Sequence, residues 1–169
     1  MAVIRDLTEA DLPALTATAG GAGWRGGESP HWRKYLDEQR AGVRDLLITL
    51  EGDEAAGYVS LLWRSHYPPF AEARIPEISD MVVAEASRRR GIGAALIAVC
   101  EARAAAAGYR TMGIGVGLYA DYGAAQRLYA RLGYRPDGRG VYYGDTPATP
   151  GQSYRLDDDL VLFLTRPLP

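Results

Sequence analysis

The passage from residue 75 to residue 117 constrains this chain more than any other. It runs from "IPEISDMVV" through "AEASRRRGIGAALIAVCEARAAAAG" into "YRTMGIGVG". The first segment is polar in its first half and apolar in its second, which predicts a strand. From Gly91 to Ala107 the chain is rich in alanine and free of proline, and Gly108 stands ready to stop a helix. A glycine-interrupted strand follows over 109–119. Strand, helix and strand in that order imply parallel neighbours joined by a crossover helix.

The flanking segments extend the plan. "AVIRDL" (2–7) predicts a short strand, and "TEADLPALTATA" a helix capped by Thr8. Residues 20–30, "GGAGWRGGESP", form a glycine-rich loop, and "PHWRKYLDEQRAG" predicts a helix ending at Gly42. "VRDLLITL" and "AAGYVSLLW" read as a hairpin around "EGDE". Residues 64–74 read as a loop punctuated by Pro68 and Pro69. "YGAAQRLYARLG" predicts a helix, and "YRPDGRGVYYG" and "DDDLVLFLTR" the last two strands, with "DDD" a solvated turn. The expected fold class is α/β (α+β). A mixed, mostly antiparallel sheet of about seven strands carries one parallel βαβ crossover and about four helices, all in a single domain over 1–169.

Composition narrows the function classes. A chain of 169 residues with 47% hydrophobic residues is long enough and apolar enough to bury a core. A net charge of −2 gives no global field to draw in nucleic acid. Cys100 is the sole cysteine, so no internal disulfide forms and no cysteine-rich metal cage exists. His31 and His66 lack metal-ligand spacing, so no metal is expected. The N-terminus lacks the layout of a signal peptide, and no apolar run reaches membrane length. The expectation is a soluble cytoplasmic protein with no membrane partner.

The turn between strand and helix carries the chemistry. Free amides and the positive dipole end at a helix N-terminus bind anions. Gly91 and Gly93 remove side chains that would hold a phosphate away, and the arginines at 88–90 add charge and donors. "GIGAAL" lacks the third glycine of a dinucleotide fingerprint, and no Gly-Lys-Ser/Thr triplet marks a Walker loop. The same residues also read as a helix start with a solvated arginine face, and the stretch alone does not choose.

A wider pattern does. Arg88-x-x-Gly91-x-Gly93 resembles the Arg/Gln-x-x-Gly-x-Gly/Ala signature of the GNAT N-acetyltransferase superfamily, which binds acetyl-CoA. Downstream, "AAQRLYARLGYRPDG" resembles the family's later segment, with an alanine, then Leu-Tyr, then Gly-aromatic. The resemblance is firm over about residues 75–136. It implies that the backbone of Met81, Val82 and Val83 meets the pantetheine arm and the oxyanion. It also implies that the amides of Arg89, Arg90, Gly91, Ile92 and Gly93, with the Arg88 side chain, hold the phosphates. Where the family often has an asparagine that helps position the arm, this chain has Tyr122, carried here as a cofactor-side position.

The same resemblance implies the acid and base. Transfer to an amine requires an ammonium to lose a proton and a thiolate to gain one. Glu77, four residues before Met81, matches the place of a glutamate base in some members. Asp80 is the reserve, or a bulge or helix-cap residue. Tyr129, in the Leu-Tyr pair, matches the tyrosine acid. Trp24, Trp32, Tyr35, His66, Tyr67 and Phe70 lie in or near segments that often frame an acceptor, with Glu28 and Asp37 suited to a cationic amine; Trp32 and Tyr35 also read as simple core. The expected partner is a small-molecule primary amine. A peptide or protein acceptor and a non-catalytic acyl-CoA-binding regulatory module are the alternatives. A homodimer is compatible with the sequence.

Overall fold

A computed structural model describes residues 3–169; the expected first strand begins at Ala2, which lies outside them. Among the described residues the fold is mixed α/β, with eight strands and five α-helices. The chain divides into two compact units, Met1–Trp63 with Ile78–Arg103, and Arg64–Glu77 with Ala104–Pro169.

The first unit is built on four strands in the order β1-β2-β3-β4, namely Ile4–Asp6, Arg44–Glu51, Glu54–Leu62 and Glu77–Val83, the last entered from the other unit at Glu77. β1 and β2 are antiparallel, as are β2 and β3, whose hairpin turns at Gly52-Asp53 with a bulge between Thr49 and Leu50. Every residue of β3 from Ala55 to Leu62 is buried, which explains its nearly unbroken apolar run. On one face Tyr58 meets α1 (Leu12–Ala17) and α2 (His31–Arg40) in a cluster with Leu7, Leu15, Trp32 and Ile48. On the opposite face a Cβ on Gly57 would stand 3.2 Å from Ile92 and 3.3 Å from Leu96 of α4 (Ile92–Ala106), so that helix lies close against the strand.

A 3-10 turn over Glu9–Asp11 opens α1. The Asp11 carboxylate takes the Thr8 amide at 2.8 Å, the Thr8 hydroxyl at 3.0 Å and the Arg5 guanidinium at 2.6 and 2.8 Å. Those hydrogen bonds, Arg5 first, hold its carboxyl down at about 2.

The second unit carries strands in the order β5-β8-β6-β7: Thr111–Gly117, Leu160–Pro167, Arg135–Tyr143 and Thr146–Pro147. β5 and β8 run antiparallel in unbroken register from Thr111↔Pro167 to Gly117↔Val161. The β6–β8 register shifts between Pro136 and Val141, where Gly138 and Gly140 both adopt positive φ. Its helices are α3 (Pro68–Ala73) and α5 (Gly123–Arg131).

Two elements depart from expectation. Residues 64–74, expected as loop, contain α3, because Pro68 and Pro69 occupy the first turn, where a missing N–H costs nothing and a fixed φ assists. β7, two residues long, raises the strand count to eight. Phe70 of α3 sits where a Cβ on Gly113 would be only 2.2 Å from its ring, so β5 accepts α3 at a bare backbone.

Candidate active site

In the first unit β4 ends at Val83, and a 3-10 turn over Glu85–Ser87 leads to the arginines. Arg89 is left-handed at φ 60° and Gly91 at φ 83°. For arginine that region is costly, and such strain persists where its surroundings impose it. The chain thereby folds back before α4, whose first internal bond runs from the Ala95 amide to the Gly91 carbonyl at 3.0 Å. The N–H groups of the first helical turn therefore lack helical acceptors.

The three arginines have different duties. Arg90 pairs with Glu51 at 2.8 Å, and Ser87 donates to the same carboxylate at 2.9 Å, so this pair anchors the turn to the end of β2. The Arg88 Nε donates to the Val83 carbonyl at 3.3 Å. The exposed Arg89 side chain has no hydrogen bond or ion pair within the described residues. An exposed guanidinium, a helix N-terminus and a glycine with nothing within 4 Å of its would-be Cβ fit a diphosphate. Gly21 of the glycine-rich loop passes this turn, its would-be Cβ 2.9 Å from Glu85 and 3.6 Å from Arg88. Met81, Val82 and Val83 are half-buried, which leaves part of the strand end accessible.

Asp80, in the same unit, is left-handed at φ 48° and interrupts the regular alternation of β4. Its carboxylate accepts from the Tyr35 hydroxyl at 2.6 Å and from Arg25 at 3.1 Å, with Arg44 at 3.8 Å. The Arg44 guanidinium lies 3.8 Å from the Tyr35 ring centroid and also pairs with Glu38 at 2.6 Å. Burial, then the bond to Asp80, push the Tyr35 phenol up to about 12. Asp80 is thus the centre of a structural network. The aromatic residues Trp32 and Tyr35 are core, as the plainer reading of them holds.

In the second unit Glu77 opens β4 half-buried and accepts a hydrogen bond from Ser65. Tyr67 and Phe70 are buried, Tyr67 stacking on Phe163 with centroids 3.7 Å apart and donating to Asp137 at 2.8 Å. His66 is exposed. On α5, Tyr129 is 6% exposed and packs at 6.2 Å against Tyr134. Its hydroxyl has no hydrogen bond among the described residues and, unlike that of Thr49, is not sealed from solvent. Burial pushes this phenol up to about 12. Tyr122 packs its ring over Gly117, whose would-be Cβ lies 2.4 Å away, and donates to Asp158 at 2.9 Å. Tyr119 donates to the same carboxylate.

Neither Ser65 nor the Arg25–Asp80 network is foreshadowed by any sequence pattern. Arg44 at the head of an apolar strand is the one available signal for the latter. Among the described residues no cluster of histidine, cysteine, aspartate or glutamate has the makings of a metal site. No helix there is long and apolar enough to cross a membrane.

Residues 4–134 match the Acetyltransferase (GNAT) family. The chain belongs to this family. A search of curated proteins finds no match. Similar solved structures include an N-acetyltransferase from Staphylococcus aureus Mu50 at 21% identity and TM-score 0.71, covering 100% of this chain and 99% of that one. A ribosomal-protein-alanine N-acetyltransferase from Brucella melitensis is 23% identical with a TM-score of 0.68, covering 98% and 99%. A GNAT phosphinothricin acetyltransferase from Sinorhizobium meliloti, in complex with AcCoA, is 20% identical with a TM-score of 0.67, covering 99% and 88%. The protein is thus a transferase of the GNAT acetyltransferase family, with a fold shared by these structures.

Proposed function

We propose that the protein transfers the acetyl group of acetyl-CoA to a primary amine of a small molecule, within a single domain spanning 1–169. The observation that carries this reading is the turn at Arg88–Gly93, where two left-handed residues set free amides beside the uncommitted Arg89. The amides of Arg89, Arg90, Gly91, Ile92 and Gly93 hold the diphosphate, with the Arg88 side chain contributing charge. The backbone of Met81, Val82 and Val83 receives the pantetheine arm and donates to the developing oxyanion. Tyr122 offers its ring on the cofactor side while Asp158 occupies its hydroxyl.

The thioester supplies an activated acyl group. Glu77 takes a proton from the acceptor ammonium, directly or through a water, and the amine attacks the carbonyl carbon. As the C–S bond breaks, the thiolate takes its proton or hydrogen bond from Tyr129. The uncommitted Tyr129 hydroxyl supports this role, and its burial keeps the phenol protonated across the neutral range.

Calorimetry with CoA tests the binding step, with saturable heat expected; its absence removes the reading. Free-thiol release from acetyl-CoA over an amine panel tests transfer. Release with peptides alone would assign a peptide acceptor, and binding without release a non-catalytic module.

A further inference from the structure

We propose that Ser65 is a positioning residue for Glu77, fixing the carboxylate in place and keeping it ionised; this rests on Glu77 being the base. Ser65 is 4% exposed and has one proton to give. Its Oγ accepts the Tyr67 amide at 2.9 Å, which directs the hydroxyl proton elsewhere, and it donates to Glu77 Oε2. The acceptor it provides for Tyr67 is needed locally. Tyr67 is the N-cap of α3, and Pro68 and Pro69 follow it without N–H groups.

Tyr67 is itself immobilised at two points, by its stack on Phe163 and by its hydroxyl bond to Asp137 at 2.8 Å. The fixed order is therefore β8, Tyr67, Ser65, Glu77. A carboxylate held by such a chain keeps one oxygen in a defined direction, as a general base requires. The titratable groups facing this network include Tyr67, Asp137 and Tyr142, whose ring lies 4.7 Å from that of Tyr67, while Arg64 and His66 beside Ser65 are exposed. A hydrogen bond to the charged form lowers a carboxyl pKa. Loss of the Ser65 donor therefore raises the Glu77 midpoint.

The test compares Ser65→Ala, Ser65→Thr and the parent as full chains. For Ser65→Ala the acid limb of kcat/KM against pH is expected to move up by about one unit. Its kcat should fall about tenfold with the KM for acetyl-CoA unchanged, and Ser65→Thr, which keeps the hydroxyl, should recover most of both. Carboxyl carbon NMR of Glu77 gives a readout independent of turnover. An unmoved Glu77 midpoint in folded Ser65→Ala overturns the proposal. Should Ser65→Ala not fold, Ser65→Cys, whose thiol is a weak donor, takes its place: a raised Glu77 midpoint supports the proposal and an unmoved one overturns it. If Glu77→Gln leaves the pH–rate profile untouched while Ser65→Ala shifts the NMR midpoint, the base assignment fails and the Ser65–Glu77 coupling stands.

Discussion

Two carboxylates three positions apart on β4 live in different surroundings. Asp80 is met by the Arg25 and Arg44 guanidiniums and by the Tyr35 phenol. Glu77 accepts a hydrogen bond from the Ser65 hydroxyl. An anion ringed by fixed cations contributes to stability. A hydroxyl donor fixes a carboxylate's direction with a weaker pull on its proton affinity than a cation exerts. The left-handed backbone at Asp80 lets one short strand hold both.

The sharpest way to break this contrast is to neutralise each in turn. Glu77→Gln is expected to lower kcat/KM by about 100- to 1000-fold and to remove the acid limb of its pH profile. Retention of that limb would return the role of base to water or to Asp80. Asp80→Ala should instead destabilise the fold by about 2–3 kcal/mol, seen as a lower urea midpoint, since Arg25 and Arg44 lose a shared partner. A larger loss of turnover per folded molecule than of stability would reverse the assignments.

Tyr129→Phe extends the contrast to the acid. A fall in kcat of about 10- to 100-fold, with CoA affinity held, is expected. Because the folded phenol titrates near 12 against an ordinary value of 10.0, the protonated form is favoured in the native state. Its contribution to stability is full below pH 10 and is lost as pH rises toward 12. Alkaline urea titrations should therefore show less loss in Tyr129→Phe than in the parent.

Asp11 offers the smallest effect. Its carboxyl is held at about 2, so its contribution is present above the ordinary value of 3.8 and lost as pH falls toward 2. Because Arg5 is partly exposed, Asp11→Asn should cost only about 1 kcal/mol at neutral pH and flatten the acid side of the stability curve.

Much of this architecture is legible in the sequence where chemistry is local. Gly91 and Gly93 at the start of an alanine-rich segment announce the turn, and the helix that carries Tyr129 is read from "YGAAQRLYARLG". Pro68 and Pro69 misdirect because the same residue that breaks a helix interior favours its first turn. The sign of φ at Arg89 and Asp80 is hidden, since neither residue type demands a left-handed backbone. Ser65 lies 12 positions from Glu77, and only the folded chain brings their side chains together. Such pairings leave no periodicity to read.

The missing side chain at Gly113 limits what can be engineered. Phe70 fills the space a side chain would need, so the seating of α3 depends on an atom that is missing. Libraries that vary residues 64–74 must treat Gly113 and Phe70 as a single lock and key, altered together or left alone.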